Sequence, residues 1–165
     1  MRVQSSIRYE AKSKNSLAVF ESHQRVVKAQ IINTPQALRR RFDSIISKNR
    51  GIITTKTSVL ERRGEAIFIA DDIPSPHAIA AGVRREISHI HERPDYSLHC
   101  TLSPKDAKLV ISNGWGERHP LSGSRLFSAC YIMLYTPRNE EELEVVCRSV
   151  CASIAFMTGG KDVNY

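Results

Sequence analysis

Hydrophobic residues recur at helical spacing in two long parts of the chain. After Thr34-Pro35, an N-cap residue followed by proline at the first helical position, one side of the predicted helix is apolar until Arg50-Gly51 ends the pattern. Near the end of the chain Asn139 precedes three glutamates and a second apolar stripe, which runs to the Gly159-Gly160 pair. The two stripes consist of Leu38, Phe42, Ile45 and Ile46, and of Leu143, Val146, Cys147, Val150, Cys151 and Ile154. We therefore predict two amphipathic helices.

Shorter runs rich in β-branched residues predict strands between these helices. They cover residues 52–60, 65–70, 85–91, 97–102 and 126–135, with a third helix from Ser103-Pro104 to Gly114 and a proline-containing loop over 71–82. Helices interspersed with mostly antiparallel strands are typical of an α+β domain with its helices packed on one face of the sheet. We predict one such domain over residues 34–160, preceded by a basic, partly helical segment, 1–33, and followed by a tail, 161–165.

The charge is unevenly distributed. The 165 residues carry a net charge of +7, and residues 1–63 hold 14 Lys and Arg against 4 Asp and Glu. A basic region raises the hypothesis of an anionic ligand or a nucleic acid as partner, but no zinc-finger spacing or aromatic–basic alternation accompanies the charge, so nucleic acid is not favoured. No apolar run reaches membrane-spanning length, no signal peptide opens the chain, and the four cysteines lack CxxC spacing. A soluble cytoplasmic protein without a membrane anchor is expected.

Histidines are concentrated in the predicted strand pair 85–91 and 97–102. His89 and His91 share one face of a strand, and a five-residue connection, 92–96, would set His89 opposite His99 and His91 opposite Ser97. This arrangement has three interpretations. The imidazoles could transfer protons or bind substrate, His89, His91 and His99 could hold a divalent metal, or the group could be structural.

A second unusual segment, residues 113–123, holds the single tryptophan between two glycines. Trp115, Glu117, Arg118 and His119 could together bind a flat polar aromatic ligand by stacking, charge and proton transfer. The alternative is that Trp115 packs into the core below the end of the preceding helix.

Taken together in order, these motifs resemble one enzyme family. The chain is similar, most densely over residues 84–160, to the fungal luciferases, which oxidise 3-hydroxyhispidin, and to their non-luminous relatives. The motifs that carry the resemblance are Arg85-Glu86-Ile87, His89-x-His91, Ser97-Leu98-His99, Gly114-Trp115-Gly116-x-x-His119-Pro120-Leu121-x-Gly123 and Tyr135-x-Pro137-Arg138-Asn139-Glu140-Glu141-Glu142. The luciferases begin with a hydrophobic membrane segment, whereas this chain begins with a polar one.

The resemblance implies an oxygenase that uses O2 as co-substrate without flavin or haem; a divalent metal at His89, His91 and His99 stays open. We expect a soluble fungal enzyme of secondary metabolism acting on a hydroxylated pyrone or polyketide-type aromatic substrate. The expected catalytic residues are His89, His91, His99 and His119, and the expected substrate-binding residues are Arg85, Ser97, Trp115, Glu117 and Arg118. Two alternatives are a non-redox acid–base enzyme (cyclase, isomerase or dehydratase) using the same histidines, and a module that binds anionic ligands or nucleic acid. The sequence leaves the oligomeric state undetermined.

Overall fold

A six-stranded antiparallel sheet is the centre of the domain. The computed structural model describes residues 34–92, 95–125 and 127–165, so the helix predicted within 1–33 lies outside the described residues. The strands are β1 (Ile53–Thr57), β2 (Glu65–Ile69), β3 (Glu86–Ile90), β4 (Leu98–Thr101), β5 (Gly116–Arg118) and β6 (Tyr131–Leu134), and their order in the sheet is β1-β2-β3-β4-β6-β5. The helices are α1 (Thr34–Lys48), α2 (Ala78–Gly82), α3 (Pro104–Ser112) and α4 (Glu140–Met157). The predicted α+β class is confirmed.

Helix α4 packs on one face of the sheet, against β3 and β4, and α1 packs beside it. Its predicted stripe is buried and meets the inward side chains of the strands, Leu98, Cys100, Ile132 and Leu134 among them. The buried Ser153 hydroxyl donates to the Thr101 carbonyl at 2.7 Å, which connects the helix to β4 and gives this hydroxyl a partner. Helix α4 therefore covers only one of the two faces of the sheet.

Local signals located the helix termini well. Helix α1 begins at Thr34, where the sequence predicts it. The Ser103 and Asn139 side chains accept from the backbone N–H groups of Asp106 and Glu142, as N-caps do, and α4 ends just before Gly159-Gly160.

Three predictions of elements need correction. Of the described residues in the predicted strand 126–135, Tyr131 to Leu134 form β6, the loop over 71–82 contains the short helix α2, and the segment 113–123 contains the edge strand β5. Three residues are too short for period-two alternation to reveal a strand, so β5 carries no local signal. The tail, 161–165, lies against α1, where the Asn49 side-chain amide donates to the Asn164 carbonyl at 2.7 Å.

Candidate active site

The pairing of β3 with β4 brings the histidines together on the face opposite α4. His89 pairs with His99, and the His91 N–H donates to the Ser97 carbonyl at 2.8 Å, so the register predicted from the connection length is confirmed. The ring centroids of His89 and His91 lie 5.2 and 4.6 Å from that of His99, and the His119 ring lies 4.9 Å from His99. We call His89, His91, His99 and His119 the histidine cluster.

A β-bulge adds a buried carboxylate to this face. Ser88 pairs with Ile67 but Glu86 pairs with Phe68, so the register shifts and Ile87 has no opposite residue. In a regular strand Glu86 and His89 would point to opposite faces; the extra residue puts them on the same one. His89 Nδ1 donates to Glu86 Oε1 at 2.5 Å, and the same carboxylate accepts from the Ser58 hydroxyl. The His89 Nε2 atom therefore carries the lone pair in the neutral ring.

His91 is fixed in the same tautomer by a different route. The Ser97 hydroxyl donates its single proton to Asp95 Oδ1 at 3.0 Å and lies 3.1 Å from His91 Nδ1. Ser97 can therefore only accept from His91, so Nδ1 is protonated and Nε2 carries the lone pair. Burial would raise the pKa of Asp95, but the hydrogen bonds from Ser97 and the nearby His91 lower it overall, so the carboxylate is ionised at neutral pH.

Three ring nitrogens in the cluster are buried without a hydrogen-bond partner among the described residues. They are His89 Nε2, His91 Nε2 and His99 Nδ1. Leaving a buried polar atom unpaired costs roughly 1–3 kcal/mol, so three in one place need an explanation. The Glu61 carboxylate, on the turn after β1, approaches them: its Oε1 lies 2.8 Å from His91 Nε2 and 3.9 Å from His89 Nε2, without hydrogen-bonding geometry to either.

The cluster is kept uncharged where it is most buried. Burial, and then the neighbouring His89, His91 and His119, lower the pKa of His99 to about 3, so this ring is neutral at physiological pH. Its ring stacks on Tyr131 with centroids 5.2 Å apart, and Phe127 stacks on the other side of Tyr131. Burial also raises the pKa of the Tyr131 hydroxyl, with Glu86 contributing further, so Tyr131 stays protonated.

His119 is the half-exposed member of the cluster and has the opposite tautomer. The Leu121 N–H donates to His119 Nδ1 at 3.1 Å, so in the neutral ring Nε2 carries the proton. Burial and the neighbouring His91 and His89 lower the pKa of His119. Neutral His119, whose ring contacts His99, therefore offers an N–H donor in the same cluster as the lone pairs of His89 and His91. Such a combination can bind a developing oxyanion and accept a proton nearby.

The remaining predicted site residues lie in different surroundings. The Arg85 guanidinium donates to the carbonyls of Ala70 and Ile73, both at 2.7 Å, and Trp115 is partly buried against the hydrophobic core. Glu117 and Arg118 are exposed on β5, and Glu117 accepts from the Tyr135 hydroxyl. Ser97 joins the cluster as the partner of His91. Roles for these five residues in substrate binding stay predictions.

Four residues of this face were missed by the sequence analysis: Glu61, Glu86, Asp95 and Tyr131. Asp95 lies in the turn between the two histidine strands, two residues before Ser97, and this Asx-turn spacing was the available signal. Glu86 reaches the cluster through a bulge, Glu61 from a turn, and Tyr131 from a strand distant in sequence. No local pattern in the sequence marks these three residues.

Comparison with known proteins finds relatives of the region that holds the histidine cluster. Residues 84–153, which include β3, β4 and all four cluster histidines, match the family model described as Luciferase domain. The match and the relatives support a fungal luciferase-like family for this part of the chain. The luciferase of Neonothopanus nambi is 36% identical over 144 residues, which is 79% of this chain and 54% of that protein. The luciferase of Armillaria mellea is 41% identical over 110 residues, 61% of this chain and 41% of that protein.

The chain thus spans about half the length, or less, of the luciferases it matches. No solved structure matches it. Among the described residues, none of the helices is long and apolar enough to cross a membrane.

Proposed function

We propose that this chain is an oxygenase of the fungal luciferase-like type, acting on a hydroxylated pyrone or a related polyketide-type aromatic compound of secondary metabolism. O2 is the co-substrate, and neither flavin nor haem takes part. The observation that carries the proposal is the convergence of four histidines of the luciferase-like region in one cluster, which contains both donor and lone-pair nitrogens.

The chemistry requires an electron-rich anion. A hydroxypyrone loses a proton to give its enolate, the enolate transfers electrons to O2 to form a carbon–oxygen bond, and the peroxide is protonated or decomposes with loss of CO2. The lone pairs at Nε2 of His89 and His91 favour loss of the proton, and the His119 N–H binds the resulting oxyanion. His91 has the more accessible side chain of the two, 19% exposed against 4% for His89, so a substrate reaches it first.

The test measures O2 consumption with hydroxylated pyrones as candidate substrates. His119→Leu removes the N–H donor at the half-exposed edge, and we expect a loss of about 10²–10⁴-fold in kcat. His77→Leu is the matched control, because His77 stacks on Phe156 outside the cluster. Equal O2 consumption by the two variants would refute the proposal.

A non-redox acid–base reaction at the same histidines is the competing outcome. Unchanged turnover under strict anaerobiosis, with a product of the same mass as the substrate or lighter by one water, would replace the oxygenase with a cyclase, isomerase or dehydratase. A product that contains oxygen from labelled O2 would support the oxygenase.

A further inference from the structure

The three unpaired ring nitrogens form a set that is unusual even within the cluster. His89 Nε2, His91 Nε2 and His99 Nδ1 have no hydrogen-bond partner among the described residues. One ligand atom from each ring lies within 4.8 Å of those of the others. The first two are lone pairs by tautomer, because Glu86 and Ser97 occupy the opposite nitrogens. Converging lone pairs repel one another unless a cation lies between them.

The position of the Glu61 carboxylate is a second indication of a cation. Its Oε1 lies 2.8 Å from the His91 Nε2 lone pair, a contact that is repulsive unless a proton or a metal ion is shared. An ion bound to nitrogen at 2.0–2.1 Å and to oxygen at 2.0–2.2 Å brings the two ligand atoms to about 3 Å when the angle between them is near 90°. The carboxylate oxygen therefore lies at the distance from His91 Nε2 that two ligands of one ion would have, although it is not among the ligand atoms that all lie within 4.8 Å of one another.

The surroundings also match those of metal-binding histidines. Ligating imidazoles usually donate their second nitrogen to a carboxylate, a carbonyl or another polar group, which fixes the ring and its tautomer. His89 donates to the 2% exposed Glu86, and His91 donates to Ser97, which is held in turn by Asp95. Three such features together are not expected of histidines that serve packing alone.

From this geometry we infer that His89, His91 and His99 bind one divalent transition-metal ion, with Glu61 as the fourth ligand. Imidazole ligands suit Zn²⁺, Cu²⁺, Fe²⁺ and Ni²⁺, whereas Mg²⁺ and Ca²⁺ prefer oxygen. Nitrogens arranged tetrahedrally around Zn²⁺ lie about 3.4 Å apart, so ligand atoms that now lie within 4.8 Å of one another would have to approach by up to about 1.4 Å when the ion binds. This inference deepens the proposed function: an ion here would promote loss of the substrate proton in place of direct transfer to His91.

The test uses the full chain, expressed without a polyhistidine tag and dialysed against a chelator. Zn²⁺ is titrated by calorimetry, and Co²⁺ is followed by its visible absorption, which reports nitrogen-rich coordination. We expect one ion per chain, no comparable binding of Mg²⁺, and a thermal midpoint that rises with the Zn²⁺ concentration.

Variants separate ligands from supporting residues. Ser97→Ala leaves the three ligands in place but releases the His91 ring, and we expect about 10–100-fold weaker binding, as for other outer partners of metal ligands. His91→Gln removes a ligand and should weaken binding further, while the matched control His77→Gln should bind as the parent does. Glu61→Gln, a substitution at a partly exposed side chain, provides a second ligand variant should His91→Gln fail to fold.

Absence of saturable Zn²⁺ and Co²⁺ binding, or binding unaffected by both His91→Gln and Glu61→Gln, would overturn the inference and leave a proton as the shared cation. Because titration needs no substrate, it is independent of the oxygenase assay. Metal binding without O2 consumption would contradict the proposed function and support the metal site. O2 consumption without metal binding would support the proposed function and contradict the metal site.

Discussion

At Gly116 the backbone of the neighbouring strand leaves no space for a side chain. A Cβ added there would lie 2.4 Å from the Met133 carbonyl oxygen and 3.1 Å from the Leu134 Cα, both backbone atoms of the paired strand β6. Opening the first contact to about 3 Å would require β5 to move roughly 0.6 Å away from β6. The flanking hydrogen bonds, Tyr135 N–H to the Trp115 carbonyl at 3.0 Å and His119 N–H to the Tyr131 carbonyl at 3.2 Å, would then be stretched beyond normal length.

We therefore expect Gly116→Ala to be strongly destabilising. Overpacking costs about 1–3 kcal/mol and each of the two weakened hydrogen bonds up to about 0.5–1.5 kcal/mol, which gives a loss of roughly 2–6 kcal/mol in the free energy of unfolding. For a domain of this size the melting temperature should fall by roughly 4–24 °C. The measurement is urea and thermal unfolding followed by circular dichroism.

The matched control is Gly51→Ala, because a Cβ at Gly51 meets no atom within 4 Å. This variant should stay within about 0.5 kcal/mol of the parent. Equal stability of the two variants would refute the argument that close approach of β5 and β6 requires glycine at position 116. Since β5 leads directly into His119, Gly116→Ala should also lower the activity of the folded fraction.

Three further predictions concern other parts of the fold. Asn139→Ala removes the side chain that accepts from the Glu142 N–H at 2.9 Å and should cost about 1 kcal/mol in urea unfolding, with an unchanged m-value; no loss would show that the cap is dispensable. Hydrogen bonds from Arg138 lower the pKa of Glu142, so this pair stabilises fully above the unfolded glutamate pKa and its contribution disappears as pH falls through the lower folded pKa. The stability difference between the parent and Arg138→Met should therefore shrink below about pH 4, and a difference independent of pH would contradict it. A thiol reagent at pH 8 should label Cys130, which is half-buried, and spare the buried Cys100, Cys147 and Cys151, whose pKa values burial raises to about 12, 11 and 12; equal labelling of all four in the native protein would refute this.

The local signals in the sequence determined most of the fold. Thr34-Pro35, Ser103-Pro104 and Asn139 located three helix starts because capping depends on residues within one turn of each other. Of the two glycines beside the tryptophan, Gly114 has a φ of +72° and Gly116 packs against the backbone of β6, and both are conformations that glycine favours because it has no Cβ. The antiparallel α+β class followed from the same short-range patterns.

The sequence also determined the centre of the candidate site, because its geometry is nearly local. The connection between β3 and β4 fixes their register, and side-chain alternation then places His89, His91 and His99 on one face. These residues lie within eleven positions of one another, so the prediction needed only one loop length.

Only the tertiary structure decided what surrounds the three rings. The bulge at Ile87 arises from the pairing of β3 with β2, and it alone turns Glu86 toward His89. Glu61 reaches His91 from the turn after β1, and His119 directly follows β5, a strand too short to be recognised from its sequence. Contacts between distant segments depend on how strands pair over the whole sheet. The spacing of residue types along the chain does not encode this pairing of strands. The strand pairing nevertheless determines which histidine nitrogens keep a free lone pair.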